Sequence, residues 1–129
     1  MTTSDSHPFA ALDGEQFLLL TTYRKTGEAA PTPVWFAERD GRIYITTGSA
    51  AGKLKRIRNN PEVVVAPSDR VGAMLGPAFA ARAREATLDE RATAEAALSA
   101  KYGEELKRIR AMRSGESGST YLVVTSPTE

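Results

Sequence analysis

The sequence of 129 residues contains no cysteine and a single histidine. Without cysteine there can be no disulfide, thiolate metal site or cysteine nucleophile, and this composition is typical of a cytoplasmic protein. A zinc site or a Ser-His-Asp triad would depend on His7, which lies in a polar stretch without supporting residues. We therefore expect no metal site and no catalytic constellation of side chains.

An excess of charge of one sign is also lacking, because 17 basic residues oppose 16 acidic ones. A general affinity for nucleic acid normally comes with a larger positive excess. No apolar run approaches the roughly twenty residues that span a membrane, and residues 1–7 do not resemble a signal peptide. We expect a cytoplasmic protein without nucleic-acid or membrane partners, whose basic features are local.

The chain does contain several short β-favouring runs separated by turns. Strands are predicted at 15–24, 29–38, 42–47, 62–67, 78–87 and 120–125. Helical segments are predicted at 8–13, 53–60, 89–102 and 104–112. This pattern indicates a tail at 1–7 and one domain at 8–129, a mainly β, six-stranded antiparallel barrel. The helical excursion before the last strand is expected to cover one end of the barrel.

Two prolines interrupt the second predicted strand, at Pro31 and Pro33. Proline cannot donate a hydrogen bond to a β-ladder. We therefore expect this strand at an edge, at a bulge, or with part of its backbone reserved for another purpose. The apolar run 34–37 that follows contains Trp35, which could equally be a core aromatic residue or the wall of a ligand pocket.

The stretch 44–61 combines a strand, a glycine-bounded loop and the start of a helix. This arrangement typically binds anions, because free backbone N–H groups and the positive end of the helix dipole face the loop. Hydroxyl groups at Thr46, Thr47 and Ser49 could add donors, and Lys53 and Arg56 could add positive charge. The sequence therefore predicts an anion site here.

The helix of this stretch has two distinct stripes at about 100° per residue. Leu54 and Ile57 share an apolar stripe that can pack on a sheet. The adjoining stripe contains Lys53, Arg56 and Asn60, which would then lie where a ligand can reach them. An amphipathic surface helix with a solvated basic face explains the same spacing equally well.

Two other interpretations of this stretch are weaker. Gly48 to Lys53 is similar to a Walker A loop, but it is one residue short between the glycines, and Leu54 replaces the Ser or Thr that binds magnesium. The basic residues could also bind nucleic acid. The pentapeptide Leu-Lys-Arg-Ile-Arg recurs at 54–58 and 106–110, but no wider repeat accompanies it.

Five short motifs add a family resemblance. They are Leu20-Thr21-Thr22, Thr32-Pro33-Val34-Trp35-Phe36, Thr46-Thr47-Gly48, Gly52-Lys53 with Arg56, and Arg58-Asn59-Asn60-Pro61. In this order and spacing, residues 8–125 resemble the split β-barrel flavin and deazaflavin oxidoreductases of the pyridoxamine-phosphate-oxidase-like class. The nearest branch is the flavin/deazaflavin oxidoreductase B group, which uses coenzyme F420.

The resemblance implies a homodimer with two cofactor sites at the subunit interface. It implies that the phosphate lies near the loop and helix start, that the ring lies against the second and third strands, and that 74–77 lies near the site or interface. The candidate cofactor-binding residues are Thr32, Pro33, Val34, Trp35, Ile45, Thr46, Thr47, Ser49, Gly52, Lys53, Arg56, Asn60, Ala66 and Pro67.

The resemblance also implies a function. The first hypothesis is hydride transfer from reduced F420 to a conjugated or quinone-like organic acceptor, and the second is an oxidoreductase that binds FMN. A non-catalytic carrier or sensor of the cofactor is the third, and DNA binding is a distant fourth. Few basic residues at 49–53 and none at 126–129 argue against oxidation of a vitamin B6 compound, and the alanine-rich strand 78–84 also departs from the family pattern.

Overall fold

The computed structural model describes residues 12, 15–39, 41–48, 52–105, 108 and 119–126. Their helices and strands are β1 (Phe17–Tyr23), β2 (Ala29–Arg39), β3 (Arg42–Gly48), α1 (Gly52–Asn59), β4 (Glu62–Ser68), β5 (Phe79–Glu85), α2 (Leu88–Tyr102) and β6 (Ser119–Thr125). The strands form a closed antiparallel barrel in the order β1-β2-β3-β6-β5-β4. The predicted fold class, a six-stranded antiparallel barrel of the split type, is confirmed.

All six predicted strands and two of the predicted helices occur, with ends that differ from the prediction by at most two residues. The predicted tail at 1–7, the turn at 8–13 except for Leu12, and most of the predicted helix at 104–112 lie outside the described residues. So does Ser49 of the candidate site. Within the described ranges, no helix is long and apolar enough to cross a bilayer.

The barrel interior follows from the alternation of side chains along each strand. Leu18 and Leu20 of β1, for example, point inward, and the residues between them face outward. Two side chains of α1, Leu54 and Ile57, join the same core and are 1% and 3% exposed. Helix α1 therefore closes one end of the barrel through the apolar stripe that the sequence predicts.

Helix α2 lies on the side of the barrel and not over its end. Its residues Ala94, Leu98 and Tyr102 pack against Tyr44 and Val123, which are on the outer faces of β3 and β6. For α2, the described helix of the excursion, the expectation that it covers an end is therefore wrong. The physical reason is that these outward positions are themselves apolar and need cover, whereas α1 already fills the end.

The barrel is split along β2. Residues Ala29–Trp35 pair with β1, and residues Phe36–Arg39 pair with β3. Residues 43–48 of β3 pair with β6, and from Thr46 onward they pair with β6 alone among the described strands. Pro31 and Pro33 lie in the half of β2 that pairs with β1 alone among the described strands, which agrees with the first of the three expected arrangements, an edge. The two ladders diverge here and leave a gap between β2 and β3.

Candidate functional site

A cavity of about 220 Å³ opens at the gap between β2 and β3. Its lining combines apolar side chains with three hydroxyls, one from β2 and two from β3, and one ammonium group from α1. The lining residues are Phe17, Thr32, Pro33, Val34, Trp35, Thr46, Thr47 and Lys53. Seven of these eight belong to the candidate set from the sequence, and Phe17 is the addition.

One wall of the cavity is an aromatic stack. The ring of Trp35 lies 4.2 Å from that of Tyr102, with an interplanar angle of 14°. The ring of Phe17 meets Trp35 edge-on at 6.5 Å. Such contacts contribute about 0.5–1.5 kcal/mol beyond burial and fix the orientation of the rings. Trp35 therefore lines the cavity and also takes part in the packing of α2.

The hydroxyl of Tyr102 anchors this stack to the backbone. It accepts a hydrogen bond from the amide of Phe36 at 3.0 Å, and it lies 2.7 Å and 2.8 Å from the carbonyl oxygens of Gln16 and Phe36. Burial raises the pKa of Tyr102, so this hydroxyl keeps its proton and remains a donor. The end of α2 is thereby joined to β2 and to the start of β1.

Two cations of α1 lie at the mouth of the barrel, each in contact with a buried threonine. The Nζ atom of Lys53 donates to Oγ1 of Thr47 at 3.3 Å, and Nε of Arg56 donates to Oγ1 of Thr22 at 2.6 Å. Thr47 and Thr22 are 2% and 0% exposed. The side chains of Lys53 and Arg56 are half-buried, so the predicted basic stripe is only partly solvated.

A second depression, of about 380 Å³, lies along α1. Its lining carries four cationic side chains. The lining residues are Arg24, Lys25, Gly52, Lys55, Arg56 and Asn59. A Cβ atom built on Gly52 would lie 3.0 Å from Nη1 of Arg56, so the guanidinium group is folded close against the first residue of the helix.

Other candidate residues lie away from the cavity. Ile45 is 0% exposed inside the barrel core. Ala66 and Pro67 are on β4, where they pair with Leu19 and Leu18 on the side of β1 away from β2. The side-chain oxygen of Asn60 accepts a hydrogen bond from the amide of Glu62, which fixes the turn into β4. The structure therefore does not bring these four side chains to the cavity.

The segment after β4 runs back across the outside of the barrel. The amide of Leu75 donates to the carbonyl of Pro67 at 2.8 Å. A Cβ atom on Gly72 would lie 3.9 Å from Cδ of Pro33, which lines the cavity. Val71, Met74 and Leu75 are 80%, 54% and 56% exposed. The segment thus borders the cavity and carries exposed apolar side chains beside it.

Sequence and structure comparisons agree with this geometry. A profile of the pyridoxamine 5′-phosphate oxidase family matches residues 8–127. The chain belongs to the pyridoxamine 5′-phosphate oxidase family. No curated protein matches the sequence. The profile spans both β2 and α1, so the cavity and its cations lie within the matched region.

Several solved structures share the fold of this family member. An F420-H2-dependent reductase, FDR-A, is 18% identical, with 84% of this chain and 93% of that chain covered and a TM-score of 0.62. A FAD-binding protein from Mesorhizobium loti is 14% identical (91% and 83% covered, TM-score 0.66). The heme storage protein HutZ from Vibrio cholerae is 15% identical (88% and 82% covered, TM-score 0.63). At these identities the likeness shows the fold.

The cavity of this oxidase-family chain has the chemistry to hold a flavin-type cofactor. Lys53 and Arg56 supply cationic donors for a phosphate, and Trp35 supplies a flat apolar surface for a ring. Among the described residues, no cluster of carboxylates or histidines suited to a metal ion occurs. The arrangement favours binding and orientation of a ring-bearing anion.

Sequence reasoning missed three residues at this site. Phe17 and Tyr102 contact Trp35 across long sequence separations that local periodicity does not report. Thr22 had a signal, because it follows Leu18 and Leu20 at the inward positions of β1. A hydroxyl at an inward position needs a hydrogen-bond partner, which here is Arg56.

Proposed function

We propose that the protein is a reductase that binds F420 and directs a hydride from its reduced form to a conjugated or quinone-like organic acceptor. The observation that carries this proposal is the cavity in which Lys53 of α1 faces the aromatic wall formed by Trp35. It joins an anion-binding group to a flat apolar surface. The fold shared with FDR-A supports the same choice.

The roles of the residues follow from their positions. Lys53 and Arg56 would hold the phosphate, with donors from Thr46 and Thr47; Ser49, the further donor expected from the sequence, lies outside the described residues. Pro33, Val34 and Trp35 would support the ring. The cofactor, when bound, supplies the redox chemistry, and the protein supplies binding and orientation. Catalytic acid–base or nucleophilic side chains are then unnecessary.

The second depression favours F420 over FMN. F420 carries an oligoglutamate tail, which is a polyanion, whereas FMN ends at a single phosphate. Arg24, Lys25 and Lys55 line the depression next to Arg56. Clustered cations attract a polycarboxylate more strongly than they attract a neutral chain. FMN is the second candidate, and the shared fold of a FAD-binding protein supports it.

We also propose a cytoplasmic homodimer with the cofactor at its interface. Val71, Met74 and Leu75 form an exposed apolar patch beside the cavity, which a second subunit would cover. The acceptor would then lie over the ring, between this segment and the partner subunit. Sedimentation analysis of the wild type and of Met74→Glu tests the interface, and a monomeric wild type would contradict it.

A fluorescence titration with oxidised F420, with FMN in parallel, tests the proposed cofactor. We expect tighter binding of F420 than of FMN. Lys53→Ala should weaken F420 binding by about tenfold or more, since it removes a charge-assisted contact. The matched control is Arg82→Ala, which removes one exposed positive charge from β5. Equal affinity of Lys53→Ala and wild type would refute the phosphate assignment.

Turnover separates the enzyme from a carrier or sensor. Reduced F420 should be oxidised in the presence of the protein and a panel of quinones and conjugated enones. Tight binding without oxidation of the cofactor by any acceptor would favour the carrier. Tighter binding of FMN than of F420 would assign the protein to the flavin-binding branch.

A further inference from the structure

Thr22 is a polar residue that shares the inward face of β1 with Leu18 and Leu20. It occupies an inward position of β1 and is 0% exposed. Its Oγ1 atom lies 2.6 Å from Nε of Arg56, from which it accepts a hydrogen bond, and 3.5 Å from the carbonyl oxygen of Ala30, to which it donates. A buried hydroxyl without partners would destabilise the fold. The contact with Arg56 therefore satisfies Thr22 and also restrains the guanidinium group.

This contact limits how Arg56 can meet an anion. A guanidinium group has two edges that can form bidentate contacts, one with Nε and a terminal nitrogen, the other with the two terminal nitrogens Nη1 and Nη2. Thr22 occupies the Nε hydrogen. Within the described part of the chain, Arg56 makes no other side-chain hydrogen bond and no ion pair. The Nη1/Nη2 edge is the bidentate edge that remains.

Gly52 leaves room for the same group. A Cβ atom at this position would lie 3.0 Å from Nη1 of Arg56, closer than about nine in ten real contacts of this kind. The guanidinium group therefore lies where a side chain at position 52 would displace it. Thr22 restrains the orientation of Arg56, and Gly52 permits it, without either residue providing charge.

We infer that Thr22 is a positioning residue that directs the Nη1/Nη2 edge of Arg56 toward the phosphate of the bound cofactor. The inference rests on the proposed function, since it concerns the same phosphate. It assigns a role to a residue outside the lining of the cavity. Without the Thr22 hydroxyl, the guanidinium group can rotate about its side chain, and binding must then restrict that motion.

The test compares probes with and without the phosphate. Binding of F420 is measured beside its phosphate-free deazaflavin alcohol, and FMN beside riboflavin, for wild type, Thr22→Val and Thr22→Ser. Valine keeps the volume and removes the hydroxyl. We expect Thr22→Val to lower the affinity for the phosphorylated probe, F420 or FMN, by about tenfold. The affinity for the corresponding phosphate-free probe should not change. Thr22→Ser should restore the affinity.

Two controls separate positioning from a general structural effect. Thr21→Val changes the neighbouring threonine on the outward face of β1 and should bind as the wild type does. In an Arg56→Gln background, Thr22→Val should cause no further loss, because its effect acts through Arg56. A loss that persists in that background, or that is equal for the phosphate-free probe, would overturn the inference.

If Thr22→Val folds poorly, the inference can still be tested by hydrogen exchange of the Arg56 side chain in the protein without cofactor. The Nε–H signal of Arg56, assigned by its loss in Arg56→Gln, should exchange slowly with solvent in wild type and Thr22→Ser. Fast exchange in the wild type would overturn the inference while leaving the proposed function intact. Failure of the wild type to bind either phosphorylated probe would instead overturn the proposed function and this inference with it.

Discussion

The two helices of the barrel differ in how the cations near them are partnered. Beside α1, Arg56 donates to the neutral hydroxyl of Thr22. Beside α2, the carboxylate of Glu90 accepts from Arg84 at 2.7 Å and contacts Arg42 at 3.4 Å. A hydroxyl fixes the position of a cation and leaves its charge intact, whereas a carboxylate neutralises the charge.

The same contrast occurs within α1. Arg58, two residues after Arg56, forms an ion pair with Glu85 at 2.8 Å. The hydrogen bond from Arg58 lowers the pKa of Glu85. Arg58 thus serves the fold, whereas Arg56 retains its positive charge in the second depression. An overall charge near zero therefore coexists with a local group of basic residues.

The largest expected effect is that of a charge reversal at Arg56, and the same reversal at Arg58 is its control. Arg56→Glu should weaken F420 binding by about 100-fold or more, because it replaces an attraction to the phosphate with a repulsion. Arg58→Glu makes the same change two residues away and should alter affinity by less than about threefold, since that charge is already paired. Isothermal titration of both variants checks this. Equal losses would mean that the two faces do not differ in function.

Gly52→Ala should separate stability from binding. Alanine favours the helix by up to about 1 kcal/mol over glycine, so the melting temperature should not fall. Its Cβ displaces the end of the Arg56 side chain, and affinity for F420 should drop by about fivefold. Unchanged affinity, measured in the same titration, would show that the close approach at Gly52 has no role in binding.

Glu90→Gln tests the ion pairs beside α2 through the pH dependence of the free energy of unfolding. The hydrogen bond from Arg84 lowers the pKa of Glu90 from 4.5 to about 2. Its stabilising contribution is therefore fully present above pH 4.5 and is lost as the pH falls through 2. Urea unfolding should show Glu90→Gln less stable by about 1 kcal/mol at pH 7, a difference that narrows from pH 4.5 to 2. A constant difference would contradict this, and F420 affinity at pH 7 should not change.

The smallest effect concerns the second depression. Lys25→Ala should weaken F420 binding by about twofold to threefold, as expected for a contact at an exposed position. FMN has no oligoglutamate tail, so its affinity is the internal control and should stay the same. A similar loss for both ligands would mean that Lys25 acts on the phosphate or on the fold, and not on the tail.

The features that the sequence predicted were those in which apolar residues repeat at the spacing of a helix or a strand. The spacing of Leu54 and Ile57 predicted the buried face of α1. In contrast, the stack of Trp35 on Tyr102 joins residues far apart in the chain. Neither residue's immediate neighbours report that contact.

Two differences between the expectations and the structure have physical reasons. The inward position of Ile45 follows from the alternation along β3, but this residue was assigned to the site through the family resemblance. The location of α2 was missed because apolar residues on the outer faces of β3 and β6 look like further core when a strand is apolar on both sides. Periodicity shows that a face is covered, but not which element covers it.

The aromatic wall has a practical consequence. Trp35 is the protein's single tryptophan, and it borders the candidate cofactor cavity. Its indole emission therefore arises from one known place and needs no external label. A ring stacked on the indole in that cavity would quench this emission on contact. The single tryptophan thus offers a label-free optical signal for occupation of the cavity.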